Sequence, residues 1–144
     1  MATSIQVVFD CHDPDRLAKF WAQALRYTLQ PPPPGFDSWE AFLQAEGIPE
    51  SEWDRASAIV DPEGRGPRIY FQKVPEGKTV KNRVHLDLNV GGGRTAPIEE
   101  RKRRVAAEIE RLVAAGARQS RVLEEQGEYC VNMFDPEGNE FDLQ

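Results

Sequence analysis

Cysteine, histidine and methionine each occur only twice in the 144 residues. Cys11 and Cys130 show no CxxC spacing, so they read as ordinary thiols of a reduced, cytoplasmic protein. Positive charge is in deficit: 18 Lys and Arg against 24 Asp and Glu leave −6, a sign that repels phosphate backbones and anionic lipid heads. No nucleic acid and no membrane is therefore expected as a partner. Long apolar runs are also missing; nothing approaches the roughly 18 residues of a spanning helix. The opening MATSIQVVFD lacks the basic and apolar regions of a signal peptide, so export is not expected. What is present, 40% hydrophobic and 29% charged residues, is the mixture of one globular domain over 1–144. A chain of this size buries about 68–70% of its unfolded surface and needs neither disulfide nor metal to hold a core.

The segment 4–11, SIQVVFDC, is rich in β-branched and aromatic types and reads as a strand. Asp13 then caps a helix with Pro14 at its first position, where the missing N–H costs nothing. Leu17, Phe20, Trp21, Ala24 and Leu25 recur at helical spacing and make one apolar stripe. A second helix is expected from about Ile98 to Ala115, with Val105, Ile109, Leu112 and Val113 as its stripe and Gly116 as its stop. Glu99 with Arg103 and Glu100 with Arg104 form i, i+4 pairs, so the run Arg101 to Arg104 reads as a solvated face.

Strict alternation marks the strands. Val84, Leu86, Leu88 and Val90 oppose His85, Asp87 and Asn89; Ile69 and Phe71 oppose Arg68, Tyr70 and Gln72. Phe141 and Leu143 oppose Glu140, Asp142 and Gln144; Ile5, Val7 and Phe9 oppose Gln6, Val8 and Asp10. DPEG, a tight-turn sequence, occurs at Asp61 to Gly64 and again at Asp135 to Gly138, each time followed by an alternating strand. Two copies in the same context indicate an internal repeat: modules 1–76 and 77–144, each βαβββ, the first carrying an insertion at 31–55. The insertion opens with Pro31 to Pro34, a stiff extended stretch. It continues through Phe36, Trp39, Phe42 and Trp53, which form a lid over a ligand, pack on the sheet, or meet a second subunit.

The stretches VVFDCHDPDRLAKFWAQAL, RVHLDLNV and YCVNMFDPEGNEFDLQ together resemble the vicinal oxygen chelate superfamily, and within it the glyoxalase-like and glyoxalase/bleomycin-resistance proteins. The resemblance implies an α+β fold: two βαβββ modules forming a curved, partly open mixed sheet, helices outside and a concave cleft inside. It also implies a homodimer and a small-molecule partner. Metal-dependent relatives place one ligand on the first and one on the last strand of each module, positions that fall here on Gln6, Tyr70, His85 and Asp142. Gln6, His85 and Asp142 suit a divalent metal. Tyr70 stands where such enzymes usually supply Glu, and a phenol is a poor ligand at neutral pH, which argues against glyoxalase I activity.

Three functions stay open. The first is binding of a small organic molecule in the cleft, with Gln6, Arg68, Tyr70, Gln72, His85, Asn89, Trp39 and Trp53 as contacts. A second is a metal-dependent lyase, isomerase or dioxygenase acting on vicinal oxygens, with His85, Asp142, Asp87 and Tyr70 as catalytic groups. The third is sequestration of a cationic drug, as in bleomycin resistance. Cys11, beside His12 and a helix start, has the neighbours a reactive thiolate needs, though packing as a small apolar group is the plainer reading. Gly91 to Gly93 lacks the partners of a phosphate loop and reads as a strand-to-helix connection that ends on Thr95 as a cap.

Overall fold

The computed structural model describes residues 1–144, which divide into two compact units, Met1–Gly77 and Lys78–Gln144. The first unit runs β1 (Val7–Cys11), α1 (Pro14–Leu25), β2 (Thr28–Leu29), α2 (Trp39–Ala45), a 3-10 turn (Glu50–Glu52), β3 (Ala56–Val60) and β4 (Ile69–Lys73). The second runs β5 (Leu86–Leu88), α3 (Ile98–Ala114), β6 (Arg118–Glu125), β7 (Glu128–Phe134) and β8 (Glu140–Leu143). Each unit carries a four-stranded mixed sheet, ordered β1-β4-β3-β2 and β5-β8-β7-β6. The first strand pairs in parallel with the last, and the other pairings are antiparallel. The fold is α+β, two βαβββ modules of one connectivity. No helix is long and apolar enough to cross a membrane.

In the first unit Asp13 accepts the Arg16 N–H at 3.1 Å and so caps α1, while Pro14 occupies its first turn. Leu17, Phe20, Trp21 and Ala24 are buried. Trp21 meets Phe9 of β1 at 5.0 Å between ring centroids, and Phe9 stacks on Phe71 of β4 at 5.4 Å. The core therefore lies between α1 and one face of the sheet, where Ile59, Ile69 and Phe71 are buried. In the second unit Val105 and Leu112 of α3, Val131 and Met133 of β7, and Phe141 and Leu143 of β8 are all buried.

Both DPEG turns close in the same way. The Asp61 carboxylate accepts from the backbone of Glu63, Arg65 and Gly66; that of Asp135 accepts from Glu137 and Asn139. Gly64 and Gly138 take φ of 67° and 86°, which a side chain would disfavour.

Several sequence expectations are corrected. The first strand starts at Val7, leaving Ile5 72% exposed, and the third alternating segment pairs only over Leu86–Leu88, leaving Val84 79% exposed. Alternation outlasts pairing because Ile5 and Val84 lie beyond the last paired residues of β4 and β8. On α3, Val113 is 47% exposed, while Arg101 and Glu108 are buried with it turned outward. Glu100 takes both Arg103 and Arg104, whereas Glu99 faces Lys102. Thr95 is no cap: the helix begins after Pro97, with no side-chain cap bond.

Candidate functional site

Sheet register puts a row of polar side chains on the face of the second unit opposite its core. Asp142 of β8 pairs with Asp87 of β5 on one side and Asn132 of β7 on the other. His85 and Cys130 lie two residues from Asp87 and Asn132, on the same face by strand parity. His85 Nε2 stands 3.3 Å from Asp87 Oδ1 and 3.5 Å from Asp142 Oδ2. Asn132 Nδ2 donates to Asp142 Oδ1 at 2.6 Å, and Arg121 Nε donates to Asn132 Oδ1 at 2.9 Å. The Cys130 thiol donates to Asp142 Oδ2 at 3.4 Å. Burial, then that hydrogen bond to Asp142, pushes the thiol up to about 12, so it stays protonated and is no nucleophile at neutral pH.

Ligand atoms of His85, Asp87 and Asp142 lie within 4.8 Å of one another. Asp142 is mostly covered, at 14% exposure, while His85 and Asp87 are 40% and 45% exposed. One imidazole and two carboxylates are a donor set that fits a divalent ion, and the open side leaves room for further oxygen ligands. Asn132 fixes Asp142 from behind, and the Arg121 contact fixes Asn132. Asn89 lies farther along and accepts from Gln144 Nε2 at 2.9 Å.

The first unit presents other chemistry on the corresponding face. Val7 N–H bonds to Arg68 O, which brings the residues at the mouth of the β1-β4 pair together. Arg68 donates from Nη1 to Gln6 Oε1 at 2.9 Å and from Nε to Gln30 Oε1 at 2.6 Å, and its guanidinium lies over the Tyr70 ring, 5.2 Å from the centroid. Gln6 is thus engaged by a cation, which disfavours its use as a metal ligand. Gln72, exposed beyond Tyr70, accepts the buried Cys11 thiol on its backbone oxygen at 3.6 Å. His12 is exposed at the strand-to-helix turn.

The insertion builds a wall. Trp39 donates from Nε1 to Gln30 O at 2.8 Å, Trp53 donates to Ile48 O at 2.9 Å, and Phe36 and Phe42 meet edge to face. Trp39, Leu43, Trp53, Ala58, Arg68 and Tyr70 border a concavity of about 1180 Å³ within this unit. Sequence reasoning missed Gln30, which has no signal beyond preceding the prolines. It also missed Asn132 and Cys130 as partners of Asp142, although the alternation of β7 puts both opposite Val131 and Met133.

Two βαβββ units of one connectivity in one chain define a glyoxalase-like α+β fold. A glyoxalase-like domain model matches residues 6–144, and the chain belongs to that family, within the vicinal oxygen chelate superfamily. No curated protein matches the sequence. Among solved structures, it is similar to a hypothetical protein from S. aureus, at 17% identity and TM-score 0.61 over 99% of this chain and 93% of that one. It is also similar to a mutant of the fosfomycin resistance protein FosX from Listeria monocytogenes, complexed with Mn(II) and 1S,2S-dihydroxypropylphosphonic acid. That likeness has 13% identity and TM-score 0.65 over 100% and 92% of the two chains. A glyoxalase/bleomycin resistance protein/dioxygenase family enzyme from Burkholderia phytofirmans follows at 14% identity and TM-score 0.58, over 96% and 94%. These identities speak for the fold alone.

Proposed function

We propose that the chain binds a small organic molecule in the concavity of its first unit. The supporting observation is the join of aromatic walls, Trp39 and Trp53, to a polar floor of Arg68, Tyr70 and Gln30. Apolar walls with a few fixed polar groups are the usual composition of a small-molecule site. A metabolite library, screened by thermal shift and tryptophan fluorescence, tests it. A ligand at about 100 times its Kd is expected to add roughly 2.7 kcal/mol of stability, and Trp53→Ala is expected to weaken it. A library in which nothing stabilises the protein overturns this reading.

A second reading rests on His85, Asp87 and Asp142: a divalent-metal-dependent enzyme acting on vicinal oxygens. A bound divalent ion there supplies Lewis-acid polarisation of substrate oxygens. Asp87 and Asp142 hold the negative charge that attracts it, His85 adds a nitrogen donor, and Asn132 keeps Asp142 from turning. Calorimetric titration with Mn²⁺ and Zn²⁺ is expected to show one site, lost in Asp142→Ala. Absence of any affinity in the wild type removes the metal reading and leaves the first standing.

A further inference from the structure

The concavity has three Lys or Arg side chains on its lining, Arg55, Arg68 and Lys73. Two are already neutralised: Arg55 pairs with Glu52 and Lys73 with Asp54. Arg68 is different, because its polar partners are two carboxamide oxygens and its third neighbour is the Tyr70 ring, so no carboxylate offsets its charge. Gln6 and Gln30 aim the guanidinium without cancelling it. They occupy the Nε hydrogen and one Nη1 hydrogen, which leaves three of the five N–H groups for a ligand.

We propose, resting on the cavity reading above, that the ligand is a monocarboxylate with an aromatic or branched apolar body, its carboxylate held by Arg68. The local charge selects the anion. Arg68 is the one Lys or Arg on the lining without a carboxylate partner and accepts one negative charge, while the six carboxylates of the lining, Asp13, Asp15, Glu40, Glu50, Glu52 and Asp54, repel a dianion such as a phosphate monoester. Geometry favours the carboxylate, since the remaining N–H groups, one on Nη1 and two on Nη2, lie in the guanidinium plane, which suits two coplanar carboxylate oxygens. The apolar body then lies against Trp39, Leu43 and Trp53, and Tyr70 backs the guanidinium.

Three probes separate the terms: phenylacetate, its neutral isostere phenylacetamide, and phenyl phosphate, each titrated calorimetrically and by tryptophan fluorescence. Phenylacetate is expected to bind wild-type protein about tenfold or more tightly than the amide, and more tightly than phenyl phosphate. Arg68→Gln is expected to erase the acid–amide gap, and Arg68→Lys to retain part of it. Equal binding of acid and amide, a gap that survives Arg68→Gln, or preference for phenyl phosphate overturns the assignment and leaves the cavity reading standing. Failure of both acid and amide to bind the wild type also overturns the assignment, and the metabolite library then decides the cavity reading on its own. The wild-type comparison needs no variant, so a folding defect in Arg68→Gln does not rescue the proposal.

Discussion

In the first unit Tyr70 of β4 sits between Val8 of β1 and Ala58 of β3; in the second, Asp142 of β8 sits between Asp87 of β5 and Asn132 of β7. These are the same places in one connectivity. Two residues earlier on the last strand, Arg68 of the first unit corresponds to Glu140 of the second, and the charge is reversed. Gln6, two residues before Val8, corresponds to His85, two before Asp87. The inward residues show no such contrast: Ile69 and Phe71 match Phe141 and Leu143, all buried. Folding constrains the face that packs on the helix, and the opposite face is left free to vary. One unit thereby offers a cation among neutral acceptors, and the other two carboxylates beside an imidazole. Glu140 is not spare charge, since it pairs with Lys78 and accepts the Asn82 N–H. Burial works against ionisation there, but those two contacts hold its carboxyl below the usual range.

The likeness of the inward faces meets its hardest test in the cores, where the effects are largest. Trp21→Ala is expected to cost about 3–5 kcal/mol and Leu112→Ala about 2–5 kcal/mol, read from urea unfolding. Both side chains have no exposed surface. A loss below about 1 kcal/mol at either helix would mean that its unit is not held by the helix-on-sheet packing described here. The contrast of the outward faces is tested by copying one unit into the other. Ala58 stands where Asn132 does, so Asn132→Ala gives the second unit the residue of the first. It removes the bond to Asp142 and is expected to weaken Mn²⁺ binding by about 10–100-fold. Unchanged affinity would mean that Asn132 does not orient the carboxylate.

Most of this contrast is legible in the sequence, because alternation assigns faces before any coordinates exist. Period two in HLDLN and EFDLQ puts Asp87 and Asp142 opposite the buried leucines, and the doubled DPEG aligns the modules. Register is another matter. That Asp87 joins His85 and Asp142 depends on which residues face each other across the parallel β5-β8 pair, and no local pattern encodes that pairing. The hold of Gln30 on Arg68 joins residues 38 positions apart, across the insertion. Alternation likewise does not mark where pairing stops: Ile5 and Val84 continue it beyond the last paired residue.

The two DPEG turns differ in burial, and so in expected cost. Asp135 is 3% exposed and, besides two backbone N–H groups, accepts the Asn139 side chain at 2.8 Å. Asp135→Ala leaves those donors unpaired inside the protein, at about 1–3 kcal/mol. Asp61 serves three backbone N–H groups nearer water, and Asp61→Ala is expected to lower Tm by less. The backbone of Glu63, then that of Gly66, holds the Asp61 carboxyl below its usual range. A depressed folded value makes this contribution complete above the ordinary carboxylate range and lost as pH falls through the depressed one. Equal losses at pH 7 would mean that burial does not separate the repeats.

The smallest effect concerns α3, whose first turn is charged where that of α1 is capped. Glu100 accepts from Arg103 at 2.7 and 2.9 Å and from Arg104 at 2.7 Å. Those guanidinium groups, Arg103 first, pull its carboxyl from 4.5 to about 2. Because the folded value lies below the unfolded one, its contribution is fully present above about pH 4.5 and is lost as pH falls through about 2. The arginines lie in water, so the gain is small and screened by salt. Glu100→Gln should therefore lower Tm slightly at pH 7 in dilute buffer, and by less as pH falls toward 2 or in about 1 M salt. Asp13→Asn, at the cap of α1, retains an oxygen acceptor for the Arg16 N–H and should respond little to salt. A salt-insensitive loss in Glu100→Gln would assign its role to packing rather than charge.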